Sequence, residues 1–252
     1  MKNEASPPFS VKTVSLNSRI LLFVLAVAAA NVLPASAGAQ ETFHALVFTS
    51  GATMMKVDGL NGMLTNARFA GLSNDGISYG VNGHYAYGRA MLGADVSHVT
   101  YGEEGLSNGR SDDLNATQIL ATAAYAIVAT GRMSLFPQIG IGTGRFDVTL
   151  RDRSAGTATT QATPTFDEVA ENPGQSSLVS GHHLLFSVGG GADFLVVRRS
   201  SDKLGVVFGV RGGYLVAPNR TTWTSNGRPV ITGPDASAGG PFMRFVVGFG
   251  GR

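Results

Sequence analysis

The chain of 252 residues contains no cysteine. That excludes a lipid-anchored N-terminal cysteine, a disulfide framework and a thiolate metal site, and it lets an exported chain cross an oxidising compartment without mispairing. Charge is scarce too, at 14% of residues with a formal net charge of +2. With so weak a field, nucleic acid is not an expected partner. Long apolar runs are absent after Leu33, so nothing there reaches the roughly 18 residues that cross a bilayer as a helix. The 34 glycines also argue against a helical bundle. A membrane-spanning form of this chain is therefore a closed barrel, the other arrangement that satisfies every backbone group in lipid.

The N-terminus points to export. Lys2, Lys12 and Arg19 precede the apolar run "ILLFVLAVAAANVL" from Ile20 to Leu33, and "PASAGAQ" follows, with Ala-x-Ala at Ala35/Ala37 and at Ala37/Ala39. This pattern is that of a secretory signal peptide over residues 1–39. The apolar run of about 14 residues is too short for a retained anchor. Cleavage is expected near Gly38 to Glu41, leaving residues 40–252 as one domain with sixteen basic against sixteen acidic side chains.

Period-two alternation between turn signals predicts eight strands, near residues 43–57, 75–87, 89–101, 115–129, 132–150, 181–198, 203–217 and 240–250. Their connections alternate. Short turns carry Arg89, Arg132, Arg198, Arg199 and Lys203, whereas the other four connections are long and polar, the longest running from Arg151 to Ser177. Short turns at one end and long loops at the other are the rhythm of an up-and-down antiparallel transmembrane barrel.

The faces separate as lipid exposure requires. In the second strand Ile77, Tyr79, Val81, Tyr85 and Tyr87 oppose Ser78, Gly80, Asn82, His84 and Ala86; the sixth, seventh and eighth strands alternate likewise. The fifth is irregular. "PQIGIGTGRFDVTL" reads as changing phase near Thr143–Arg145, where a bulge would aim Phe146, Val148 and Leu150 outward. On the inward face fall Asp95, Asp193, Arg211 and Arg244, together with Ser78, Asn82, His84, Ser97, Gln118, Thr122, Gln138 and Ser187. Two acids and two arginines neutralise one another, and an eight-stranded bore is just wide enough for side chains to fill it. The same groups lining a narrow pore are the alternative, since the inward glycines leave room for water.

Signal peptide, eight strands, unequal connections and charged lumen together resemble the small outer-membrane barrels of the OmpA/OmpX type, over the whole mature chain. The C-terminal "FMRFVVGFGGR" is similar to the signal read by the barrel-assembly machinery, with Phe245, Val247 and Phe249 alternating, although it ends in Gly-Gly-Arg instead of an aromatic residue. The resemblance implies a monomer in the cell outer membrane, in contact with lipid and lipopolysaccharide, with no cofactor and a structural or surface-interaction role.

Some such barrels modify lipid A, and His182, His183 and Ser187 are the candidate catalytic groups for that chemistry. His183 and Ser187 share a face but lie four residues apart, about 13 Å along a strand, too far for the roughly 3 Å contact of nucleophile and base. The expected place of His182 and His183 is the outer rim of the sixth strand, and no third ligand completes a zinc site there. His98 reads as an interface residue and His84 as a lumen hydrogen-bonding group. Neither a catalytic nor a metal residue is assigned. Acidic side chains crowd two loops, Glu103, Glu104, Asp112 and Asp113 in one and Asp167, Glu168 and Glu171 in another; beside lipid phosphates they would need bridging divalent cations.

Overall fold

The computed structural model describes residues 42–105, 109–130, 132–153, 163–198, 204–218 and 221–251. The leader expected over residues 1–39 lies outside these. The wall strands are β1 (Thr42–Met54), β2 (Asp75–Tyr87), β3 (Ala90–Gly105), β4 (Arg110–Tyr125), β6 (Met133–Asp152), β7 (Ser176–Arg198), β8 (Leu204–Val216) and β11 (Gly240–Gly251). Three short strands accompany them: β5 (Val128–Ala129), β9 (Thr222–Ser225) and β10 (Arg228–Pro229). Each wall strand pairs antiparallel with its neighbour in sequence, β1 pairs with β11, and the β6–β7 pairing completes a closed eight-stranded ring. Closure leaves the wall no unpaired edge.

Alternation sets the two faces. Leu46, Phe48, Ile77, Leu92, Ile139, Val188, Val210 and Phe245 all stand exposed on the outside, a continuous apolar belt. Asn82, Asp95, Gln118, Asp193, Arg211 and Arg244 are buried inside it. Strand one, with Met54 and Met55 adjacent, ends at Met54; Met54 faces out and Met55 turns into the core.

The fifth predicted strand, now β6, corrects one expectation. It pairs without interruption with β4 and with β7 through Thr143–Arg145, so no bulge occurs there. Phe146, Val148 and Leu150 stay on the inward face and are fully buried. What changes is the surroundings. Beyond Thr143 the outward positions become Arg145, Asp147, Thr149 and Arg151, while the inward ones become apolar.

These inward side chains meet a cap built from the long connections. Helix α1 (Asp58–Asn66) follows β1 and buries Leu60 and Leu64, one turn apart on one face. It contains Gly59 because a Cβ there would come within 2.6 Å of the Asp235 carbonyl oxygen. Helix α2 (Phe166–Glu171) starts in a capping box: Thr165 Oγ1 accepts from the Glu168 backbone N–H at 3.3 Å, and a Glu168 carboxylate oxygen accepts from the Thr165 N–H at 2.8 Å. The fourth long connection forms the β9–β10 hairpin, turned by Asn226 and Gly227 at positive φ, as a two-residue hairpin of this type requires. The hairpin pairs with β7 at Val179–His182, where β8 no longer reaches. So the long connections carry two helices and a hairpin, not open polar loops; residues 154–162 and the side chains of Glu103 and Glu104 lie outside the described set.

Trp223 of β9 anchors the cap core. Its ring meets Phe146 and Phe166 edge-on at 5.0 and 5.4 Å, and Nε1 donates to the Pro234 carbonyl at 3.1 Å. Arg110 joins three segments at the cap margin, pairing with Asp152 at 2.8 Å and donating to the carbonyls of Ala67 and Glu171.

Candidate functional site: a charged lumen beneath an apolar cap

Two groups of adjacent strands, β7, β8 and β11 on one side of β1 and β2 and β3 on the other, aim the charged side chains into the bore. Arg244 of β11 donates to Asp95 of β3 at 2.8 Å and to Gln118 of β4 at 3.1 Å; Ser97 also donates to Gln118, at 3.3 Å. Arg211 of β8 lies 3.3 Å from Asp193 of β7 and donates at the same distance to Nδ1 of His84. With Nδ1 accepting, the His84 proton sits on Nε2, which faces the Asp193 carboxylate at 3.6 Å. Asn82 stands between the halves: its Nδ2 donates to Asp95 at 3.4 Å, and its Oδ1 lies 3.4 Å from His84 Nδ1, a contact without a hydrogen bond because Nδ1 accepts from Arg211. The residues Asp193, Arg211 and His84 on one side and Asn82, Asp95, Arg244 and Gln118 on the other thus form one contiguous polar cluster across the barrel.

Small neighbours make room for it. A Cβ on Gly209 would lie 2.4 Å from Asp193 Oδ1, and one on Gly191 would press on Phe136 and on the stem of Arg211. Phe136 and Phe242 present their rings to the guanidinium groups of Arg211 and Arg244, at 5.7 and 5.0 Å, in cation–π contact. The network is dense but incompletely satisfied, since Asp193 Oδ1, Gln118 Nε2 and Nε of both arginines have no hydrogen-bond partner.

Residual space is unequal along the bore. Two cavities flank the network, of about 20 Å³ and about 10 Å³, and Gln138 lines both. The larger has room for about one water molecule. A wider cavity of about 180 Å³ opens at the short-turn end between Phe43, Met91, Ala126, Arg132 and Val207, with Asp193 in its wall. On the cap side Leu120, Leu185 and Leu215 are buried in the core formed with Phe146, Val179 and Trp223.

Most sequence-derived lumen residues therefore converge, with Gln138 at the margin of the network. His98 faces outward, 3.1 Å from Thr117, with its ring tilted against that of Tyr79 at 5.3 Å. His183 is the exception. It shares the inward face with Ser187, as its spacing implies, but it does not stand at an open rim: β7 runs on back to Ser176 and the cap buries it against Phe146 at 5.4 Å. Neither of its ring nitrogens bonds Ser187 or any other group. Sequence reasoning missed Arg110 as a cap residue, and the alternation of β4 running back to Asp112 would have signalled it. Among the described residues, no three His, Asp or Glu side chains gather as a metal site would need.

No family model matches the sequence, and no curated protein matches it. Among solved structures the chain is similar to neisserial surface protein A, at 12% identity and TM-score 0.42 over 84% of this chain and 99% of that one. It is similar to Ail, the attachment invasion locus protein of Yersinia pestis, at 13% identity and TM-score 0.43 over 84% and 98%. The outer membrane protease OmpT from Escherichia coli aligns at 8% identity and TM-score 0.36 over 86% and 98%. The chain's own strand pairing makes it a closed eight-stranded antiparallel barrel.

Proposed function

We propose that this protein is a monomeric barrel of the cell outer membrane with a plugged lumen, holding a folded cap at the cell surface in a structural or surface-interaction role. The exposed apolar belt is the lipid-facing surface, and the leader read from the sequence supplies the route to the membrane. In this orientation the short basic turns face the periplasm and the cap faces outward among lipopolysaccharide headgroups. The barrel-assembly machinery would read the C-terminal strand.

The observation that carries the plugged reading is the lumen network with its two small cavities, roofed by Leu120, Leu185 and Leu215. Ion flow would need a continuous water column, and a space for about one water does not hold one. A narrow pore is the second reading, favoured by the 180 Å³ cavity that reaches Asp193 from the turn end. In planar bilayers the mature protein is expected to be electrically silent, and discrete, reproducible conductance steps would establish the pore instead. A lipid-modifying activity has less support, because His183 and Ser187 do not meet.

A further inference from the structure

His183 is the buried group that the plugged barrel leaves unexplained. Buried imidazoles ordinarily keep at least one hydrogen bond, and this one has none. It sits where the two halves of the interior join. Its ring lies over Gly144 of β6, where a Cβ would come within 2.5 Å of Nε2. Across Gly144 in the same register row stands Gln118 of β4, a member of the lumen network, whose Nε2 is also without a partner. On the cap side the ring packs on Phe146, and Phe146 packs on Trp223.

We propose that His183 is an acid-sensitive latch: its neutral ring holds the apolar cap closed, and its protonation loosens the cap while the barrel wall stays intact. An imidazolium at this position would be a charge among Phe146, Leu185 and Gly144 with no acceptor of its own. The surrounding charges do not rescue it. His182, next to it on β7, faces outward and would repel it. On β6, Arg145 and Asp147 also face outward and pair with each other at 2.9 Å. Asp152 of β6 and Asp112 of β4 are inward but several rows nearer the cap, and β9 contributes Trp223. In the lumen, Arg244 and Ser97 already occupy Gln118 Oε1.

His183 lies above the apolar belt, level with the outward pair Arg145 and His182. Burial, with the neighbouring His182 adding in the same direction, lowers its pKa from 6.5 to about 4. An opened cap takes up the proton as pH falls below 6.5, whereas the closed cap refuses it until about 4. Cap stability contributed by this residue is therefore constant above 6.5 and is lost progressively as pH falls from 6.5 towards 4.

Trp223, the only tryptophan in the sequence, reports on the cap directly. In the refolded full-length mature protein, its emission is expected to move to longer wavelength, reversibly, as pH falls from 6.5 to 4, while the heat-dependent gel shift of the closed barrel persists. His183→Phe, which keeps a flat ring in the core, should abolish the shift, and His182→Ala should retain it. Should His183→Phe fail to give the heat-shifted band, His183→Gln, neutral at every pH, takes its place with the same expectation. A wavelength shift that survives loss of the histidine would assign the acid response to the carboxylates and overturn the latch, as would a wild-type protein whose Trp223 emission is constant over this range.

Discussion

Two stretches of β6 follow the same alternation in opposite senses. From Leu135 to Ile141 the outward residues are apolar and the inward face joins the polar lumen; from Arg145 to Arg151 the outward residues are polar or charged and the inward ones, Phe146, Val148 and Leu150, are fully buried and apolar. The backbone does not change between them. What differs is the medium outside, lipid for the first and water for the second in the proposed orientation, so the side that must hide apolar surface reverses. Period-two patterning specifies which residues share a face, but which face is the interior depends on the solvent at that height.

The sharpest way to break this comparison is in the polar half. Asp193→Ala removes the partner of a buried guanidinium and is expected to destabilise the barrel by about 3–5 kcal/mol in denaturant titrations of the refolded protein. Combining it with Arg211→Met should cost less than the two separate losses together, because the pair is in contact. Strict additivity would mean that the lumen charges are not energetically joined.

The second expectation contrasts two outward positions on one strand. Ile139→Arg places a charge in the belt and should cost about 2–4 kcal/mol. Thr149→Arg, on the same face beyond the belt, should change stability by no more than about 0.5 kcal/mol. Equal costs at the two sites, measured by the same unfolding titration, would erase the proposed lipid boundary near Thr143.

The smallest effect lies in the cap. Thr165→Ala deletes the side-chain half of the α2 capping box and should destabilise the cap by about 1 kcal/mol. Limited proteolysis is the readout: cleavage should rise within the cap while the wall remains protected. Protection unchanged throughout would show that α2 is held by Phe166 and Val169 packing alone.

The wall was legible because its determinants are local. Alternation in β2, β7, β8 and β11 named both faces, and charge balance on the inward one brought Asp95, Asp193, Arg211 and Arg244 into consideration together. The cap was not, although two signals were present. Thr165 followed by Glu168 is a capping box, and Asn226-Gly227 is a hairpin turn. Both sat inside stretches rich in Gly, Ser, Thr and Pro, whose composition reads as loop. Helix α1 was hidden by Gly59 and Gly62, which lower helix propensity; only the tertiary approach of Asp235 accounts for the first. The apparent phase change at Thr143–Arg145 was a real feature of the sequence. Its cause is the reversal of interior and exterior, and a bulge was the wrong physical explanation for it.

The pairing of β1 with β11 has a kinetic consequence. His44 meets Gly251 and Thr53 meets Phe242, so the seam joins the two extremities of the domain. Every other wall contact forms between wall strands consecutive in the chain, joined by a turn or by a connection that enters the cap, but this one closes the largest chain loop in the fold and bears the largest ordering entropy. Until it forms, β1 and β11 each present a row of unpaired backbone groups. Assembly should therefore be limited by zipping these two strands together, and a nascent barrel stalled at that step would be a curved open sheet whose exposed edges invite pairing with other chains.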